Sequence, residues 1–294
     1  MKNGLAISIL FVSSIGWGLT WLPIKGINQM GLDGLYLIFI AFASAGILLS
    51  PLLFIQRKSW RGNLQFLLLI AFFGGLANLL FQTAMVHGDV VRVMILFYLL
   101  PVWSVLGGWY VLKEKPDWIR IGAVIISLIG ALLILKVDSH TFDGLSWIDV
   151  VAIGAGMAFA FNNILFRKTA EQPLASKVSA VFIGCALLIG TYIVLYTPTT
   201  GMPENGAPLY AALYGVLFLT LITFGTQWGV TQLEAAKAAL IIVMELVAAV
   251  ISVALLTDVV LSIREIIGGA LVLSAAVLEG WREPDTETVE VVKS

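Results

Sequence analysis

One cysteine and two histidines are all that the sequence offers for thiol or imidazole chemistry. Cys185 lies inside an apolar run, which excludes a disulfide framework or a thiolate metal cluster and leaves redox chemistry without a carrier. His87 and His140 both fall near or beyond run ends, so no Ser-His-Asp constellation can form within a run. There is no HExxH segment. The nearest approach to the GxGD of membrane aspartyl proteases, Val86-His87-Gly88-Asp89, fails at its first glycine. An intramembrane enzyme survives only as the alternative of another class, and neither a metal nor a cofactor is implied. Charge is scarce too: 12% of residues are charged, against about 25% in soluble domains. The net charge is −1 and no basic stripe exists for nucleic acid. No ring of charges or carbonyl filter marks a channel.

What fills the chain instead is apolar. Sixty per cent of the residues are hydrophobic, and the mean hydropathy is +0.99. Runs close to the roughly 20 residues that span a hydrocarbon core recur at 5–24, 34–55, 64–86, 90–112, 118–136, 147–166, 177–196, 207–231, 237–257 and 263–281. They are continuous rather than alternating, so a helical bundle fits and a barrel does not. The first run has a signal-peptide outline but no Ala-x-Ala site, and it reads as an uncleaved helix. With the N-terminus inside, thirteen of the seventeen basic residues fall in inner segments. Only Lys25, Arg92, Lys136 and Arg264 fall outside, a bias that places both termini in the cytoplasm; the expected location is a plasma membrane, a bacterial inner membrane.

Within these runs a few residues stand out against the apolar background. Glu245 is the only acid deep in a run, where a charge costs about 2.5–3.5 kcal/mol on insertion scales. Taking a carboxyl out of water favours its protonated form, so an acid placed there is suited to proton exchange or to holding an ammonium group. Pro101 sits near mid-membrane in the fourth run and predicts a helix kink there. Asn78 and Gln82 share one face of the third run at i and i+4, and Gln227 lies in the eighth. With Trp17, Tyr98 and Trp103 as aromatic walls, these are the candidate substrate-binding residues. The threonines of the eighth run, Thr220, Thr223 and Thr226, are read as bonding their own backbone.

The chain also repeats itself. A slide of 145 residues brings Gln82 onto Gln227, Asp89 onto Glu234 and Arg92 onto Lys237. A slide of 142 puts Thr20 and Trp21 on Asn162 and Asn163. Five spans per half is an odd number, so the second half is inserted upside down, as in many alternating-access transporters. The expected organisation is a first five-helix repeat at 1–136, an outer linker at 137–146, an inverted second repeat at 147–281 and a disordered tail at 282–294. Thr20 and Trp21 near one surface, with Asn162 and Asn163 near the other, are then candidate gates.

These residues resemble the ten-helix EamA-type members of the drug/metabolite transporter superfamily. The resemblance rests on Trp17, Gly18 and Lys25, on Pro101, on Lys113-Glu114 and on the five-plus-five layout. In that family the ninth helix often carries Glu-Pro and is followed by Gly-Glu; here Glu245-Leu246 and Thr257-Asp258 stand instead. The resemblance implies a secondary transporter of small metabolites, with helices 1, 3, 4, 6, 8 and 9 lining the path. Every basic residue lies at a run end or in a loop, so no buried cation is placed to clamp a phosphate. The expected substrate is a small neutral, zwitterionic or cationic compound, an amino acid or a relative, moved outward and open to proton coupling. The alternative within transport is proton-coupled efflux of small cationic drugs or amines.

Overall fold

Apolar runs long enough to cross a bilayer fold as helices because no water is there to satisfy the backbone. The computed structural model describes residues 2–32, 34–137, 141, 144, 146–196, 205–257 and 260–282. The helices are α1 (Lys2–Gly18 continuing as Trp21–Gln29), α2 (Gly34–Ile55), α3 (Leu64–His87) and α4 (Val90–Phe97 continuing as Leu100–Gly107). Next come α5 (Trp118–Ile134), α6 (Trp147–Lys168), α7 (Leu174–Tyr196) and α8 (Ala207–Leu213, a π turn at Tyr214–Leu219, then Thr220–Gln232). The series ends with α9 (Ala235–Ile242 continuing as Met244–Leu256) and α10 (Ile263–Trp281).

Eight of these are long and apolar enough to cross a membrane, and α5 is a shorter apolar helix. The chain is an all-helical, multi-pass membrane protein among the described residues. Most of the outer linker expected at 137–146 and nearly all of the tail expected at 282–294 lie outside those residues.

Local chemistry sets the helix ends. Asp89 accepts from the Arg92 amide at 2.9 Å and Asp117 from the Arg120 amide at 2.8 Å. Ser146 with Asp149, and Ser262 with Glu265, form capping boxes that start α6 and α10. The first helix runs further than the sequence implies, to Gln29, but is interrupted at Leu19–Thr20. Pro23 lies in the first turn after the interruption, where its missing N–H costs no hydrogen bond.

The packing has the symmetry of an inverted repeat. Helix α1 packs on α8 and α9 as α6 packs on α3 and α4, and α2 packs on α8 as α7 packs on α3. The remaining main contacts join mates: α2 with α7, α4 with α9, and α5 with α10. Helices α5 and α10 run antiparallel, since Arg120 meets Glu279 at one end and Lys136 meets Glu265 at the other. Backbones come close where both partners are glycine. A Cβ on Gly130 would lie 2.7 Å from the Gly268 carbonyl, and one on Gly75 would lie 2.6 Å from that of Gly184.

Charges collect at the two ends of the bundle. At the end where α1 begins, Arg120 is held between Glu234 and Glu279, and Arg282 binds Asp117 and Glu279. Burial pushes the Asp117 carboxyl up, but the Arg120 amide and the Arg282 guanidinium outweigh it and hold it below the usual carboxylate range. Close by, Arg167 binds Glu114, whose other oxygen accepts from the Ala235 amide at 2.8 Å. At the opposite end Arg92 binds Asp149 and the Gly144 carbonyl. Lys177 is fully buried, and its Nζ donates to the Phe166 and Thr169 carbonyls at 2.9 Å, capping the end of α6.

Candidate functional site at two broken helices

Two helices break at equivalent places. Helix α4 is interrupted at Tyr98–Leu99 and α9 at Val243, and the 145-residue slide lays Tyr98 on Val243. In α4 the cause is Pro101. It has no N–H to offer the Phe97 carbonyl four residues back, so the helix turns before it and restarts with the proline in its first turn. The freed Phe97 carbonyl rests against α6, where a Cβ on Gly156 would stand 2.7 Å from it. In α9 no proline is present, yet the Leu246 amide bonds the Val243 carbonyl three residues back, tightening the turn. There the Glu245 carbonyl rests against α1, where a Cβ on Gly18 would collide with it. Each break is therefore seated on a glycine of the first helix of the opposite repeat.

Glu245 lies two residues past the α9 break at Val243, and Tyr98 lies in the α4 break. The Tyr98 hydroxyl donates to Glu245 Oε1 at 2.9 Å. No ion pair holds Glu245 among the described residues. Val243, Met244, Leu246 and Val247 form an apolar cluster with Tyr98, and Phe11, Met94 and Phe97 pack against it. A carboxyl with one hydroxyl donor among apolar walls keeps acceptor capacity free for a proton or a cation that enters beside it.

The tryptophans of α1 reach to the second repeat. Trp17 Nε1 donates to Thr226 Oγ1 of α8 at 3.0 Å, and Trp21 Nε1 to Ser252 Oγ of α9 at 2.9 Å. Lys25 Nζ lies 5.8 Å from the centre of the Trp21 ring. Thr20 turns back to the Trp17 carbonyl at 2.7 Å. Asn163 and Gln227 are both buried and bonded to each other at 3.3 Å, joining α6 to α8. Asn162 faces α3 instead, its Oδ1 lying 3.2 Å from where a Gly74 Cβ would be. Asn78 spends its amide on the Gly74 carbonyl of its own helix at 3.0 Å. Gln82 is half-buried, and no hydrogen bond joins it or Asn78 to Gln227. The structure thus unites Glu245 with Tyr98, Gln227 with Asn163, and Trp17 with Thr226, and leaves Asn78 and Gln82 apart from these pairs.

Sequence reasoning missed Thr226 and Ser252 as partners of the two tryptophans. Thr231 and Thr220 do bond backbone carbonyls, as threonines in membrane helices commonly do. Nothing in the sequence separates Thr226 from them. The seats at Gly18 and Gly156 are likewise invisible in a chain with 28 glycines.

Residues 4–136 match the model of the EamA-like transporter family. A solved crystal structure superposes with a TM-score of 0.73 over 93% of this chain and 96% of its own. Its identity is 16%, so the likeness is one of fold. No curated protein matches the chain. The first of the two five-helix halves thus resembles the EamA-like transporter family, and the whole chain shares its fold with a known structure only at the level of shape.

Proposed function

We propose that the protein is a secondary transporter working by alternating access, which exports a small neutral, zwitterionic or cationic metabolite such as an amino acid. The observation that carries this reading is the Tyr98–Glu245 pair at the crossing of two repeat-equivalent helix breaks. Discontinuous helices at mid-depth are where transporters of inverted-repeat design bind their solutes, because the broken backbone supplies polar groups that lipid cannot. The buried polar atoms support it further. Among the described residues, Trp103 Nε1 on α4, Asn162 Oδ1 on α6, and Thr223 Oγ1 and Gln227 Oε1 on α8 have no hydrogen-bond partner. Leaving such atoms bare costs about 1–3 kcal/mol each, a cost that water or a polar solute between α4, α6 and α8 would remove.

In this scheme Trp21 with Ser252 closes one end of the path, and Asn163 with Gln227 closes the other. Glu245 exchanges a proton or grips an ammonium group. Efflux of small cationic amines is the second reading, favoured by the single acid beside aromatic rings. Purified protein in liposomes, offered labelled amino acids and a labelled amine under an imposed pH gradient, should move at least one of them faster than empty liposomes. Fluxes equal to those of empty liposomes across the panel would sink both readings.

Both termini are cytoplasmic in this proposal, in a bacterial plasma membrane. Cys185 is buried and should stay silent, so single cysteines report cleanly. Val260→Cys, in the exposed connection before α10, should react with an impermeant maleimide applied outside cells. Ser59→Cys, between α2 and α3, should react only after lysis. The reverse pattern would invert the topology.

A further inference from the structure

We infer that the connection between α2 and α3 holds an anionic phospholipid, with its phosphate between Arg57 and Arg61 and an acyl chain in the groove beside them. After Ile55 the chain makes a short helical turn, Arg57–Trp60, and a tighter one, Arg61–Asn63, before α3 begins at Leu64. Trp60 folds back, and its Nε1 donates to the Leu53 carbonyl at 3.0 Å. That bond satisfies an orphan carbonyl of the last turn of α2 and turns the indole into an end wall. The result is a cavity of about 300 Å³ lined by Leu53, Phe54, Arg57, Trp60, Arg61 and Leu67. Its apolar wall includes Phe54, which is exposed.

Charge decides the occupant. Arg57, Lys58 and Arg61 stand in a segment, residues 56–66, that contains no acid. At the same end of the bundle Arg120, Arg167 and Arg282 each bind a carboxylate. Among the described residues Arg57 and Arg61 pair with none. Lys168, from the end of α6, adds a further cation, 5.7 Å from the centre of the Phe66 ring. Guanidinium groups four residues apart, above an apolar groove open to the bilayer, match a phosphodiester that carries a hydrocarbon chain. A soluble phosphate would fill the charged rim and leave the groove empty.

Native mass spectrometry of the purified protein from nanodiscs of equal phosphatidylcholine and phosphatidylglycerol tests this. Wild type should retain one phosphatidylglycerol in preference to phosphatidylcholine. Arg57→Gln/Arg61→Gln should lower that preference about thirtyfold, the conversion of roughly 1 kcal/mol for each of the two cations near an anionic surface. Arg264→Gln, at the opposite end of the bundle, should leave it unchanged. Leu53→Trp keeps the cations but fills the groove, and should also lower retention. Equal retention in wild type and the double Gln variant overturns the site, as does loss in the charge variant without loss in Leu53→Trp. Displacement of the lipid by millimolar inorganic phosphate would reassign the pocket to a soluble anion and overturn it as well.

Discussion

Replacing Arg120 by Met should destabilise the bundle by about 3–5 kcal/mol, the usual consequence of stranding buried carboxylates. Arg120 enters at the start of α5 and binds Glu279 of α10 at 2.9 Å and Glu234 at the start of α9. The side chains of all three are almost wholly enclosed. Without the guanidinium, Glu234 loses its ion pair, and Glu279 keeps Arg282, at 3.2 Å, with the charge of Lys237 near both carboxylates. The apparent melting temperature in mild detergent should fall by about 10 °C or more, on the scaling for chains of this size. Adding Glu279→Gln to Arg120→Met should recover part of the loss, because one of the stranded charges is then gone. A melting temperature equal to wild type would mean that water reaches the cluster and screens it, and that α5, α9 and α10 are held by packing alone.

Much of the architecture was legible because lipid leaves the chain few options. All ten runs became helices, and ends such as 34–55, 207 and 263–281 coincide with sequence-read limits, since loop residues and caps announce themselves. Pro101 announced the α4 interruption for the same reason. Two features were hidden. The α9 break has no proline, glycine or polar marker, and only the repeat relation to Tyr98 points to it. Side-chain partners across the bundle depend on helix rotation and depth to within a few ångströms, which a sequence does not carry. Asn78 shows this: the sequence puts it on one face with Gln82, but its amide serves the Gly74 carbonyl of its own helix, and no hydrogen bond joins it to Gln227. The linkage of Trp17 to Thr226 and of Trp21 to Ser252 belongs to the same class.

The arrangement also constrains how the halves can move. Helix α1 touches α8 through Trp17 and α9 through Gly18 and Trp21, so it bridges two helices of the opposite repeat. Helix α6 bridges α3 and α4 in the same manner, through Asn162 and Gly156. A rocking of one repeat against the other must slide a broken helix over its glycine seat, at Gly18 or at Gly156. In the proposed alternating-access scheme, motion at either seat would reach Glu245 or Tyr98 within three residues of the contact, and so would couple the opening of a path to the surroundings of the acid.

Glu245→Gln is therefore the variant expected to separate transport from its driving force. The amide has the carboxyl's shape, can still accept from Tyr98, and cannot ionise. If Glu245 carries the proton, net flux in liposomes should lose its dependence on an imposed pH gradient, while exchange of substrate without a gradient persists. If the carboxylate grips an ammonium group, exchange and binding fall together, by about tenfold to a hundredfold for the loss of a charge-assisted hydrogen bond worth about 1.5–3 kcal/mol. Glu245→Asp retains the acid on a shorter arm and should keep part of both activities. Tyr98→Phe removes the only hydrogen-bond donor to the carboxyl among the described residues, and should move the pH of half-maximal flux while leaving coupling in place. The measurement is net flux against imposed pH gradients alongside equilibrium exchange, for wild type and the three variants. A Gln variant with the wild-type pH dependence would exclude Glu245 from coupling and reduce it to a protonated hydrogen-bonding partner of Tyr98.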